Sequence, residues 1–198
     1  MAGKVQQKRE ALRARLIDIA EARIVEHGID AIKARDLASE AGCALGAIYT
    51  VFDDIQHVVM AVNGRTFRRL GAEVTAAVTQ SHATDPTERL VIMGRAYLAF
   101  AAANTNAWRT LFDLEMSTDQ DVPDWYMAEL SRVFALIFEP LQTLYPEQGE
   151  EQVALMTRAL FSSVHGIVLL GLEKRISAVP VKDLETMIEL LLRRFTRP

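Results

Sequence analysis

Apolar residues recur along this chain at spacings of three and four, and no stretch alternates in the two-residue rhythm of a half-buried strand, so the pattern predicts an all-α protein of about nine helices. An amphipathic helix is expected from about residue 7 to 27, with Leu12, Leu16, Ile19, Ala20 and Ile24 on one side. Gly28 ends that pattern. Leu37, Ala38 and Ala41 then mark a short helix, Gly42 permits a sharp turn, and a second short helix carries Gly46, Ala47, Ile48, Tyr49 and Phe52. Ile48 and Phe52, four apart, share its inward face, which is the logic of a helix-turn-helix. Asp53 and Asp54 begin a long helix to about residue 80, their charges suiting its positive end. Pro86, with Glu88 three after Asp85, opens a helix to about 103. A short helix at 107–116 follows, then one entered through Pro123 and running toward Tyr145. Pro146 and Pro180 are expected to open an antiparallel pair at 147–175 and 181–196. The pattern divides the chain into a three-helix domain at 1–53 and a larger helical bundle at 54–198.

The order and spacing of Gly28, Leu37-Ala38, Ala41-Gly42, Gly46, Ile48-Tyr49 and Phe52 resemble the amino-terminal signature of the TetR family of transcriptional regulators. Farther on, ALFSSVHGIVLLGLEKR at 159–175 resembles a carboxy-terminal motif that some members carry as Trp-His-Gly, with Val164 in place of the tryptophan. The resemblance implies a double-stranded DNA partner. Tyr49 takes the position of a tyrosine that touches backbone phosphate, Gly46 lets the helix approach closely, and Leu45, Ala47 and Thr50 face the groove. Three positions depart from the family: Lys33 and Ala44 stand where capping residues are usual, and Ile55 where a phosphate-contacting lysine is common. Lys33 and Arg35 restore positive charge where phosphates pass.

The last two predicted helices have wide apolar faces. Val153, Met156, Leu160, Val164 and Ile167 recur on one, and Leu184, Met187, Ile188 and Leu191 on the other. Either these faces complete the chain's own core or, as the resemblance implies, they pair with a second copy in a four-helix dimer interface. A dimer in turn implies a palindromic operator.

Between the two ends lies a concentration of large apolar and aromatic side chains: Tyr97, Phe100, Trp108, Phe112, Met116, Trp125, Phe134 and Phe161. Each is either plain core or a wall of the effector pocket that the resemblance implies. His165, beside Gly166 in an apolar helix, needs a hydrogen-bond partner, found in a ligand or across a dimer.

Composition narrows the classes. Half of the 198 residues are apolar, ample for a helical core. The net charge of −4 opposes indiscriminate nucleic-acid binding, yet Lys4, Lys8, Arg9, Arg13 and Arg15 stand against Glu10 alone at the amino end, a local basic arm. A single cysteine, Cys43, forbids an intrachain disulfide, and the charged amino terminus is not a secretory signal, so a cytoplasmic setting is expected. The apolar-leaning stretch 153–172 contains Arg158, two serines and His165, which reads as a buried helix rather than a membrane span. Enzyme signatures such as His-x-x-x-His, a glycine-rich phosphate loop or a nucleophile elbow are missing, and neither cofactor nor metal is expected. The expectation is a homodimeric repressor relieved by a small, largely apolar effector. The alternative is a helical ligand-binding or interaction module whose helix-turn-helix has little DNA affinity.

Overall fold

The computed structural model describes residues 2–114, 122–173 and 180–197. Among them are nine α-helices and no strand. The helices are α1 (Ala2–His27), α2 (Ala34–Ala41), α3 (Leu45–Ile48), α4 (Ile55–Ser81), α5 (Pro86–Ala103), α6 (Thr105–Asp113), α7 (Asp124–Leu144), α8 (Glu150–Leu172) and α9 (Leu184–Phe195).

Several boundaries differ from the sequence expectation for local reasons. α1 starts at Ala2 because nothing in its polar first turns breaks a helix, and Gln6 Nε2 donates to Glu10 Oε1 one turn on, at 2.9 Å. α3 ends at Ile48, so Phe52 reaches the core from a turn in which the Val51 and Phe52 amides both donate to the Ile48 carbonyl. Asp54 caps α4, its carboxylate accepting from the His57 amide at 2.9 Å. Asp85 does the same for α5 through the Glu88 amide at 2.8 Å. α6 begins at Thr105 and ends at Asp113 rather than spanning 107–116. Pro146 belongs to the turn after α7, and α8 instead opens at Glu150 behind Gly149. Pro180 leads into a 3-10 turn, Val181–Asp183, before α9. Just after α4, His82 takes a left-handed φ of 54°, a conformation that favours glycine.

The chain forms two compact units: residues 1–66 with 104–126, and residues 67–103 with 127–198. The sequence-based boundary after residue 53 follows the helix-turn-helix, whereas packing groups more of the chain with it. In unit 1, α1 lies against α2 and α6, and Leu16, Ile24, Leu37 and Ile48 share a core with Val58, Val59 and Val62 of α4 and Ala107 of α6. Asn63, fully enclosed on α4, donates to the Thr110 carbonyl at 3.0 Å and the Tyr126 hydroxyl at 3.3 Å, holding α6 and the start of α7.

In unit 2, α9 packs on α5 and α8. The α8–α9 approach depends on Gly171: a Cβ there falls 2.9 Å from Cγ of Leu184, which is fully enclosed. Val153, Thr157, Leu160, Val164 and Val168 turn inward from α8 as one stripe. Among the described residues α8 is the one helix long and apolar enough to cross a membrane, by length and composition. It is not the wholly buried helix its sequence led us to expect, because only 28% of its apolar window is buried.

Candidate functional site

The helix-turn-helix is a small probe built on a firm base. Gly42, at φ 63° and ψ 39°, ends α2 in a left-handed conformation, and the Gly42 and Cys43 amides close the turn on the Ser39 and Ala38 carbonyls. Ile48 is fully enclosed and Phe52 nearly so, which fixes α3 by its inner side. The opposite side is open: Leu45 is 40% and Tyr49 51% exposed, with Gly46 and Thr50 also outside and Ala47 half-buried. Lys33 and Arg35 are exposed at the start of α2. Lys33 and Ala44 occupy the N-cap positions of α2 and α3 without a side-chain cap bond, as their residue types require.

Sequence reasoning missed how the basic residues of α1 support this probe. Arg9 Nη2 donates to the Thr50 carbonyl at 2.6 Å, and the Arg13 guanidinium sits 5.1 Å from the Phe52 ring centroid. Arg23 reaches Glu40 and Asp36 of α2, while Arg65 of α4 pairs with Asp18 at 2.7 Å and Glu21 at 2.6 Å. Part of the basic arm is therefore structural. The Thr50 hydroxyl donates to the Ala47 carbonyl at 2.7 Å, which leaves its oxygen as an acceptor for an outside donor. Asp53 and Asp54 add negative charge just beyond. Burial pushes the Asp54 carboxyl upward, but hydrogen bonds from the His57 ring and the His57 and Gln56 amides outweigh it and hold the group below the usual aspartate range.

Unit 2 contains a partly open apolar chamber of about 60 Å³, walled by Leu70, Met93, Gly94, Tyr97, Leu136 and Phe161 among others. An open groove of about 690 Å³ runs along α7 and α8, past Leu130, Phe134, Phe138, Ala154, Arg158 and Phe161. Phe161 borders both spaces. Its ring stacks on His165 at 5.6 Å between centroids and meets Phe134 and Tyr97 edge-on at 5.0 and 5.9 Å. His165 Nδ1 lies 2.8 Å from the Tyr97 hydroxyl, so the partner of this histidine is in its own chain. Burial lowers the His165 pKa and favours the neutral ring, which shares a hydrogen bond with the Tyr97 hydroxyl.

Of the aromatic residues singled out from the sequence, the structure thus brings together Tyr97, Phe134, Phe161 and His165. Phe100 is enclosed elsewhere in unit 2, with the Arg69 guanidinium 5.9 Å from its ring. Trp108 and Phe112 pack edge-on within unit 1, and Trp125, also in unit 1, lies over Gly64. Met116 lies outside the described residues. The expected dimer faces also divide: Val153, Leu160, Val164, Leu184 and Ile188 are enclosed within unit 2 itself, because α5, α8 and α9 bury one another's inward stripes. Met156, Ile167, Met187 and Leu191 are half-buried, and Leu155, Leu170 and Leu190 are 61%, 50% and 59% exposed.

No curated protein matches this chain. Solved structures do. A protein of unknown function from Rhodococcus sp. RHA1 superposes with a TM-score of 0.74 at 21% identity, over 94% of this chain and 96% of that one. RolR (NCGL1110), solved in complex with resorcinol, gives 0.70 at 22% identity, over 96% and 89%. The TetR family transcriptional regulator PfmR from Thermus thermophilus gives 0.59 at 21% identity, over 90% and 97%. These establish the fold. A sequence profile of the tetracyclin repressor-like C-terminal domain matches residues 90–195, more than half of the chain. With the helix-turn-helix at one end and that domain at the other, the chain belongs to the TetR family of transcriptional regulators.

Proposed function

We propose that this protein is a homodimeric, sequence-specific DNA-binding repressor whose operator affinity falls when a small, largely apolar molecule occupies unit 2. The observation that carries the reading is the division of α3 into an enclosed side, Ile48, and an open side with Leu45 and Tyr49. Such a helix stands ready to enter a major groove. Tyr49 offers its hydroxyl to a phosphate, Ala47 and Leu45 offer apolar contact to thymine methyls, and Thr50 accepts from a base edge. Lys33 and Arg35 supply cations for flanking phosphates. In this reading residues 1–53 read DNA and the remainder senses and dimerises.

A second copy is the natural cover for the apolar surface that α8 and α9 leave outside, centred on Leu155, Leu170 and Leu190. The chamber and groove are the space for an effector. An effector relieves repression only by binding the DNA-incompetent state more tightly, and a coupling of about 1–3 kcal/mol corresponds to roughly 5- to 150-fold in operator affinity. The two ends of α4 belong to different units, which makes that helix the natural element to carry the coupling. RolR binds resorcinol within the same fold, in keeping with a small effector.

One observation favours a second reading, an interaction module with little DNA affinity. The open side of α3 is poor in polar groups, and the Thr50 hydroxyl proton is committed to Ala47. Selection of bound DNA from a random pool decides between them. The repressor enriches a palindrome that Tyr49→Ala does not retain, whereas failure to enrich any sequence at low salt transfers the case to the interaction module.

A further inference from the structure

The chamber and the groove have one described lining residue in common, Phe161. A purely apolar cavity of about 150 Å³ admits a benzene ring, so the chamber, at about 60 Å³, takes a ring or a chain only when a wall moves. Phe161 is the wall with open space behind it, because its half-buried ring also borders the groove. The chamber's described lining is apolar apart from Tyr97, whose hydroxyl already meets His165. A polar group pushed into it loses water and finds, in that lining, only the Tyr97 hydroxyl as a side-chain partner. The groove differs. Ser131, Thr157, Ser162 and Arg158 lie among its apolar residues, and Arg158 is the charged residue of its described lining.

We propose that Phe161 is a gate and that the effector is a straight-chain carboxylate, its hydrocarbon tail turning Phe161 aside to fill the chamber while its carboxylate stays in the groove at Arg158. The inference rests on unit 2 being the sensor. It rejects a diphenol, for whose two hydroxyls the described lining offers the Tyr97 hydroxyl alone as a side-chain partner.

The test is calorimetric titration of the full-length protein with octanoate, decanoate, dodecanoate, 1-decanol and resorcinol, with thermal unfolding confirming that each variant is folded. Each added methylene tightens binding by about threefold to fourfold until the chamber is full. Arg158→Ala weakens decanoate by about fivefold, as for an exposed charge, and leaves 1-decanol within about twofold. Phe161→Ala moves the end of the chain-length gain to a longer tail, and Phe161→Leu, a milder truncation, moves it part of the way. The inference is overturned if decanoate binds no better than 1-decanol, if resorcinol binds in preference to decanoate, or if both Phe161 variants keep the wild-type chain-length profile. It is equally overturned if decanoate does not bind while Phe138→Arg turns a dimer into a monomer, which assigns the groove to a second copy. Operator binding is measured separately: an operator released by another ligand, without carboxylate binding, sinks this inference and leaves the repressor standing. Arg158-dependent binding with no selectable DNA does the reverse.

Discussion

The α3 probe in unit 1 and the α7–α8 face in unit 2 present opposite solutions to exposing a functional surface. In the probe the core is complete, and the proposed DNA contact falls to what it leaves outside: Tyr49, Leu45 and Thr50 stand on a segment pinned by Ile48 and Phe52. In unit 2 the core is incomplete, and the proposed sensing falls to what it leaves unfilled, a chamber and a groove that both border Phe161. The contrast teaches where substitutions do harm. Outer residues of the probe can change with little effect on folding, whereas small changes of volume in unit 2 alter packing and ligand space together.

The largest expected effect breaks the base of the probe. Ile48→Ala empties a fully enclosed site and costs about 2–4 kcal/mol, read from urea unfolding; a loss below about 1 kcal/mol contradicts the enclosed base. Next comes overpacking in unit 2. Gly171→Ala drives a methyl into Leu184 and lowers stability by about 1–3 kcal/mol in the same measurement, a stabilised protein being the contrary result. Tyr49→Ala, by contrast, shifts stability by no more than about 0.5 kcal/mol. It weakens every operator variant alike by about tenfold, roughly 1.4 kcal/mol, in a gel-shift competition, and a change of sequence preference argues against a phosphate contact. His82→Gly relieves a left-handed conformation and raises stability by about 0.5–1 kcal/mol.

The finest effect is a pH dependence. Burial depresses the folded-state pKa of His165, so its contribution is present above about pH 6.5, the ordinary histidine value, and is lost as the pH falls through the lower folded value. Thermal unfolding from pH 7.5 to 5 shows a steeper decline for wild type than for His165→Gln. Parallel curves mean that the ring is not held neutral by the fold.

The probe was legible in the sequence because its determinants are local. Gly42 for the turn, Ile48 and Phe52 at one spacing, and the missing caps at Lys33 and Ala44 all follow from neighbours in the chain. The proposed sensor was legible only as a composition. Tyr97 with His165 spans α5 and α8, and periodicity does not say that Phe161 meets both while Trp108 packs in the other unit. The apolar stripe of α8 carried the same ambiguity, since core positions such as Val153 and Leu160 and surface positions such as Leu155 look alike until the packing of α9 is known. Arg9 and Arg13 read as plain positive charge, and only the geometry assigns them to the Thr50 carbonyl and the Phe52 ring. Asn63 carried a signal that was passed over, an amide within the apolar run of α4, which its bonds to Thr110 and Tyr126 explain.

The path of the backbone limits how the protein can be cut apart. It passes from one unit to the other after residues 66, 103 and 126, so no single cleavage liberates the probe with everything that supports it unless residues 67–103 of the other unit come along. A fragment ending at residue 53 or 66 forfeits Ala107, which exposes apolar surface on α1, and the one ending at 66 also strands the Asn63 amide by losing Thr110 and Tyr126. Chimaeras that transplant the helix-turn-helix end onto another helical bundle must carry the stretch 104–126 along with it.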